Sequence, residues 1–262
     1  MIDLHCHALG EEEVVPTLDG ALEVCARARH EGVEEIIVTT RLPRERDAQR
    51  AYGRAFTARL NELRATVGEE IRLGGGYEWL LGVDLLEQLR SAPFAPTINE
   101  GHYLLVGFPA LSLPEEIEGT IKALVAEGYA PVLAHPECSR AVRRAGRLVG
   151  RLVKAGALVQ IDALSLTGGY SPEVERFARA LLEEEQAHFI ATRSSVTARA
   201  GASLATAYER ASRIVGRSAA AALVKENPRA ALANEAMRAR TPRRARMSSF
   251  KALLRASFNS GG

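Results

Sequence analysis

His5 and His7 stand one residue apart at the end of the apolar run that opens the chain, MIDLHCH. In an extended strand side chains alternate, so both imidazoles project to one side and Cys6 to the other. Two imidazoles aimed together can share one divalent ion, the simplest chemistry open to such a pair. The plainer alternative is two hydrogen-bonded polar residues at a strand end. Asp3, on the same expected face, is placed to hold a histidine tautomer from behind. Arg41, Glu78, His135 with Glu137, and Arg193 also fall at or just past the ends of short apolar runs.

Those runs define the elements that must position the polar groups. Strands are expected at MIDLH, EEIIVTT (34–40), IRLGGGYE (71–78), HYLLVGF (102–108), APVLAH (130–135), ALVQIDA (157–163) and HFIAT (188–192). Longer amphipathic stretches such as TLDGALEVCARARH and EEIEGTIKALVAE separate them and read as helices. Gly32, Gly128 and Gly156 sit where a left-handed residue would stop a helix just before the next strand. Seven strand–helix units imply an α/β domain with a parallel sheet, doubly wound or closed into a barrel. In parallel barrels the C-terminal ends of the strands form the rim where sites are built, and the polar residues above all lie there. The glycine run at 74–76 lacks the residues of a nucleotide loop and is expected to let a strand end pack closely at that rim.

At 262 residues the chain can bury a substantial core, and 47% apolar with 25% charged residues is the balance of a globular protein. No apolar run is long enough to cross a bilayer, and the start carries no basic leader with a cleavage site. Three scattered cysteines, Cys6, Cys25 and Cys138, do not form a disulfide framework, so a cytoplasmic setting is expected. The net charge of +2 hides an asymmetry. Residues 236–262 hold seven Arg or Lys and no acid, which leaves 27 basic against 32 acidic residues in the body. We therefore expect one domain over 1–235 and a basic, disordered tail over 236–262, able to touch an anionic surface weakly but with no nucleic-acid role expected.

The stretch MIDLHCH resembles the first motif of the PHP superfamily. Within it, the chain is similar to the manganese-dependent tyrosine phosphatases of bacterial capsule and exopolysaccharide operons, the CpsB/CapC type. HEGVEEIIVTT, GGYEWLLGVDLLEQL, PTINEGHYLLVGFP, GYAPVLAHPE and KENPRAALANE support the likeness over residues 1 to about 235. The resemblance implies a distorted seven-stranded (β/α) barrel with a metal cluster at its C-terminal rim. It also implies hydrolysis of a phosphotyrosine-containing partner, such as a polysaccharide-export tyrosine kinase.

Carried over residue by residue, the resemblance makes His5 and His7 the histidines of a first metal. Glu78 becomes the carboxylate bridging two metals, and His135 a ligand of the second. Glu13 stands near an aspartate of the family's early turn, in a loop one residue shorter. Four positions depart from the pattern: Arg41 replaces a histidine, Gly107 a glutamate, and Arg193 and Ser195 a late aspartate and histidine. Cys138 replaces an arginine, leaving Arg140 as the nearby substitute. Three of four ligands thus remain for the first metal, two of three for the second and at best one of three for the third.

Guanidiniums beside a divalent ion cost several kcal/mol of repulsion unless solvent screens them. At most one weakly held Mn²⁺ or similar ion is therefore expected, on His5, His7 and Glu78. Arg41 and Arg193 could instead cradle a phosphate by bidentate bonds, or simply pair with Glu78 and Glu13 and fill the space. Three functions follow: a phosphatase with a reduced cluster, a pseudophosphatase that binds without cleaving, or another PHP-like phosphoesterase. The spacing from Cys138 to Arg144 also matches the Cys-x5-Arg loop of cysteine phosphatases, though in an arginine-rich segment such a match is cheap.

Overall fold

The computed structural model describes residues 1–10, 17–43, 45–92, 94–109, 113–195 and 203–237. Glu13 and the basic tail from residue 238 onward lie outside the described residues. Seven strands form one parallel sheet: β1 (Ile2–Cys6), β2 (Glu35–Arg41), β3 (Arg72–Leu80), β4 (Tyr103–Gly107), β5 (Ala130–Ala134), β6 (Leu158–Asp162) and β7 (Phe189–Ala191). Each pairs with the next in chain order. A doubly wound sheet would reverse its order at a switch point, so sequential order selects the barrel. The seam between β7 and β1 is closed just beyond β7. There Arg193 N donates to His5 O at 2.7 Å and His7 N to Ser194 O at 2.8 Å.

Helices follow the strands on the outside: α1 (Leu18–His30), α2 (Arg46–Val67), α3 (Leu85–Ser91), α4 (Ile117–Ala126), α5 (Arg140–Arg144) and α6 (Leu148–Lys154). The later ones are α7 (Ala163–Thr167), α8 (Pro172–Glu183), α9 (Leu204–Val215) and α10 (Arg217–Ala221), which runs through a π turn at 222–226 into α11 (Asn227–Leu232). Thr17 caps α1 by accepting from Gly20 N at 3.3 Å, and Gly32, Gly128 and Gly156 take positive φ where their helices stop.

Two buried apolar layers result. The outer one, between strands and helices, includes Ile36, Val38, Trp79, Leu104, Leu133 and Val159. The inner one fills the lower barrel with Leu4, Ile37, Tyr103, Leu105, Val132 and Phe189, joined from α11 by Ala231. The chain beyond α11 is tied to the same end. Asn234 Oδ1 accepts from His102 N at 3.1 Å, and Tyr103 hydroxyl donates to the Glu235 carbonyl. These contacts plug the floor, opposite the strand ends that carry the polar residues.

Two expectations need correction. A Cβ on Gly74 would lie 2.3 Å from Ile37 Cδ1, and one on Gly76 3.3 Å from the Ile98 backbone. Ile98 belongs to the turn before β4, so the glycines admit close packing at the plugged end and not at the open rim. Asp3 does not share a face with the histidines either. Between Asp3 and Cys6, β1 takes three steps while β2 takes two, from Ile36 to Val38. This bulge turns Leu4 and His5 both inward and leaves Asp3 on the outer side with Cys6.

Candidate active site

Inward positions near the strand ends bring the polar residues to one mouth. His5 Nε2 and His7 Nε2 lie 3.0 Å apart, and Glu78 Oε2 is 3.6 Å from the first and 3.8 Å from the second. All three side chains are buried, and among the described residues they form a group able to share an ion. A triangle with these sides has a circumscribed radius of about 2.0 Å. Three donors this close together could share one divalent ion at the usual 2.0–2.2 Å ligand distances.

Burial, followed by the neighbouring His5, pulls the His7 imidazole well below its ordinary range, so it stays neutral and keeps a lone pair to offer. Burial pushes the Glu78 carboxyl up. Its hydrogen bond with His5, with His135 and the Arg41 guanidinium beside it, outweighs that and holds it well below the usual range, ionised. His5 Nδ1 meets the Gln160 side-chain amide at 2.9 Å. An amide can turn to present donor or acceptor, so it supports either tautomer of His5. This is the role expected of Asp3, whose carboxylate instead accepts from His5 N, Thr192 N and Thr192 Oγ1 at 3.2, 3.1 and 2.5 Å.

The neighbouring position is filled differently. His135 Nε2 is 3.8 Å from Glu78 Oε1, a spacing a second ion could bridge. Two guanidiniums are already there. Arg41 Nη2 lies 3.2 and 3.3 Å from the two Glu78 oxygens, and Arg193 Nη1 lies 3.3 and 3.5 Å from the two nitrogens of His135. Burial, with help from Arg193 and against the pull of Glu78, lowers His135 to about 3, so its ring is neutral beside a cation. The two guanidiniums put positive charge at this position, which would repel a cation placed there.

Gly107 belongs to this arrangement, because a Cβ there would lie 2.1 Å from Glu78 Oε1. The absent side chain is the space the Glu78 carboxylate occupies. Both His135 and Arg193 have left-handed backbones, φ +36 and +48, at positions where the chain leaves a strand and enters the mouth. Such conformations cost roughly 1–3 kcal/mol each and persist where the surroundings fix them.

Asp162, Gln160 and Tyr170 were not singled out from the sequence. Asp162 occupies an inward position two residues after Gln160, so strand parity was the signal available. Its Oδ1 accepts from Leu164 N at 2.9 Å and its Oδ2 from Tyr170 hydroxyl at 3.0 Å. Arg193 Nε is 3.9 Å from Oδ2. Arg193 thus faces Asp162, while the pairing expected with Glu13 lies outside the described residues. Beneath lies Glu137, whose Oε1 accepts from Asp162 N at 2.7 Å. Burial and the charge of Asp162 push Glu137 up to about 8.

Other expected participants are not brought in. Arg140 is exposed at the start of α5, and among the described residues no hydrogen bond or ion pair joins it to the site. Ser195 forms a backbone bridge with His7. Burial and the nearby Glu137 and Asp162 push the Cys138 thiol up to about 12, so it is protonated. With Arg140–Arg144 wound as a helix, the Cys-x5-Arg spacing does not form an anion loop.

A family model described as "Capsular polysaccharide synthesis, CpsB/CapC" matches residues 1–233. CapC of Staphylococcus aureus is 29% identical over 204 residues, covering 73% of this chain and 76% of that one. The protein named tyrosine-protein phosphatase YwqE of Bacillus subtilis is 31% identical over 208 residues, with the same coverage of each. A solved structure reported for YwqE from Bacillus subtilis and CpsB from Streptococcus pneumoniae, "unique metal-dependent tyrosine phosphatases", superposes with a TM-score of 0.81. It covers 93% of this chain and 98% of that one at 24% identity, a likeness of fold.

Proposed function

Because this chain belongs to the CpsB/CapC capsular polysaccharide synthesis family, we propose that it is a metal-dependent protein-tyrosine phosphatase working with a reduced cation complement. Its substrate class is a tyrosine phosphate monoester on a partner protein of polysaccharide export. The observation that carries this reading is the buried trio His5, His7 and Glu78, whose spacing suits one divalent cation. The activity for which the relative YwqE is named supports the substrate class.

His5 and His7 would hold the cation through Nε2, and Glu78 through Oε2. A divalent ion bound there supplies a Lewis acid and lowers the pKa of a coordinated water towards neutrality. The chain's own groups do the rest. Gln160 orients the His5 ring, and Arg41 keeps Glu78 aligned and offsets its charge. Arg193 attracts the phosphate dianion and orients it at the mouth. Burial of the trio keeps bulk water from competing for the ligands.

A second reading is favoured by the Arg41–Glu78 ion pair, which neutralises the one carboxylate a cation needs. In that case the protein binds phosphotyrosine without cleaving it. Metal analysis of the purified chain, with hydrolysis of a phosphotyrosine analogue in added Mn²⁺, separates the two. Turnover that needs the ion supports the phosphatase. Phosphopeptide binding with no turnover at any metal concentration supports the binder.

A further inference from the structure

We propose that Arg193 forms a phosphate-binding site that operates without any metal, and that Asp162 and Tyr170 keep its guanidinium available for that purpose. This inference rests on the phosphotyrosine reading above and deepens it, since it makes the recognition of the phosphate independent of any metal and names the groups that keep the guanidinium available.

Arg193 and Arg41 differ in how their charges are used. Arg41 lies within hydrogen-bond distance of both oxygens of Glu78. Arg193 forms no hydrogen bond with a carboxylate among the described residues, and its closest carboxylate oxygen, Asp162 Oδ2, is 3.9 Å away. The other group it touches is the ring of His135. Its side chain is 28% exposed, so the guanidinium faces the mouth from beside the His5, His7 and Glu78 trio. A fork of N–H donors with this much unspent capacity matches a phosphate monoester dianion.

Asp162 explains why those donors are not spent internally. Its Oδ1 is engaged by Leu164 N and its Oδ2 by Tyr170 hydroxyl, and the carboxylate is buried. Held at both oxygens, it stays 3.9 Å from the guanidinium. It balances the charge from a distance and leaves the directional bonds for a ligand. The backbone holds the other end of the device. Arg193 N is bonded to His5 O at 2.7 Å in a left-handed conformation, which fixes where the side chain starts. Asp162 and Tyr170 are therefore positioning residues, and Arg193 is the binding residue.

The test uses the full chain stripped with EDTA and titrated calorimetrically with O-phosphotyrosine, and separately with inorganic phosphate. Phosphotyrosine should still bind after chelation. Arg193→Gln should weaken it by about tenfold or more, the scale of a lost charge-assisted bond. Tyr170→Phe should weaken it several-fold, because Asp162 is then free to capture the guanidinium. Asp162→Asn should tighten it several-fold by removing the counter-charge, a gain that a misfolded variant cannot mimic. The inference is overturned if chelation abolishes binding, or if neither Arg193→Gln nor Asp162→Asn changes the affinity. Metal-dependent turnover without metal-free binding would sink this inference and leave the phosphatase reading standing. Metal-free binding of inorganic phosphate, with phosphotyrosine ignored in both states, would do the reverse.

Discussion

Glu78 is the residue on which the mouth turns, since three histidines, one guanidinium and the empty side of Gly107 all meet its carboxylate. Gly107→Ala should force that carboxylate aside. We expect a loss of about 1–3 kcal/mol in urea unfolding and loss of Mn²⁺ binding by calorimetry; unchanged Mn²⁺ affinity would contradict the packing described. Arg41→Gln should act in two opposed ways. Without metal it leaves Glu78 less compensated and lowers the melting temperature, whereas Mn²⁺ should then raise it more than in the parent chain. The pH response of His135 has a definite sign. Its folded value of about 3 lies below the ordinary imidazole range, so the unfolded chain binds more protons between about 3 and 6.5. The stability this ring allows is present above about pH 6.5 and is lost as pH falls. Glu137, raised to about 8, works the other way and loses stability as pH rises. Comparing the parent with His135→Asn at pH 5 and 7 isolates the histidine, because asparagine tolerates its left-handed backbone. The variant should lose much less stability on acidification, by a few kcal/mol.

At the scale of elements, the sequence was legible wherever period and punctuation agreed. All seven expected strands form, and the three helix-ending glycines take the backbone they were expected to take. His5 and His7 were readable as a pair because β1 alternates normally from His5 to His7. Asp3 was misplaced because the alternation assumed continuity through a bulge, and a bulge depends on pairing with β2 that no local pattern encodes. Gln160 and Asp162 were missed for a related reason. Their inward direction becomes informative only when β6 is known to face β1 across the barrel, which is long-range information. The plug at the closed end offers a test at this scale. Tyr103 receives the Met237 N–H at 3.3 Å and donates to the Glu235 carbonyl. Tyr103→Phe should cost about 1–2 kcal/mol in urea unfolding without altering Mn²⁺ affinity. A change in metal binding would mean that the floor and mouth are coupled.

Across the whole molecule, the fold of the family carries a mouth that joins a cation-suited trio to two guanidiniums. One trio remains suited to a cation, and guanidiniums occupy the adjoining position. The expected cation content is therefore one per chain at saturating Mn²⁺, measured by elemental analysis after dialysis; two would refute the assignment of the second position to arginine. The seam of the barrel carries a consequence for assembly. Asp3 and Thr192, 189 residues apart, are bonded there, and His5 and Arg193 join their backbones beside them. Contacts between such distant segments demand a large loop closure and so form late in folding. The mouth therefore does not pre-exist in any partly folded chain that lacks β7. Ligand-binding competence and closure of the ring arise in a single kinetic event, and refolding followed by phosphate binding should lag behind the gain of helical signal.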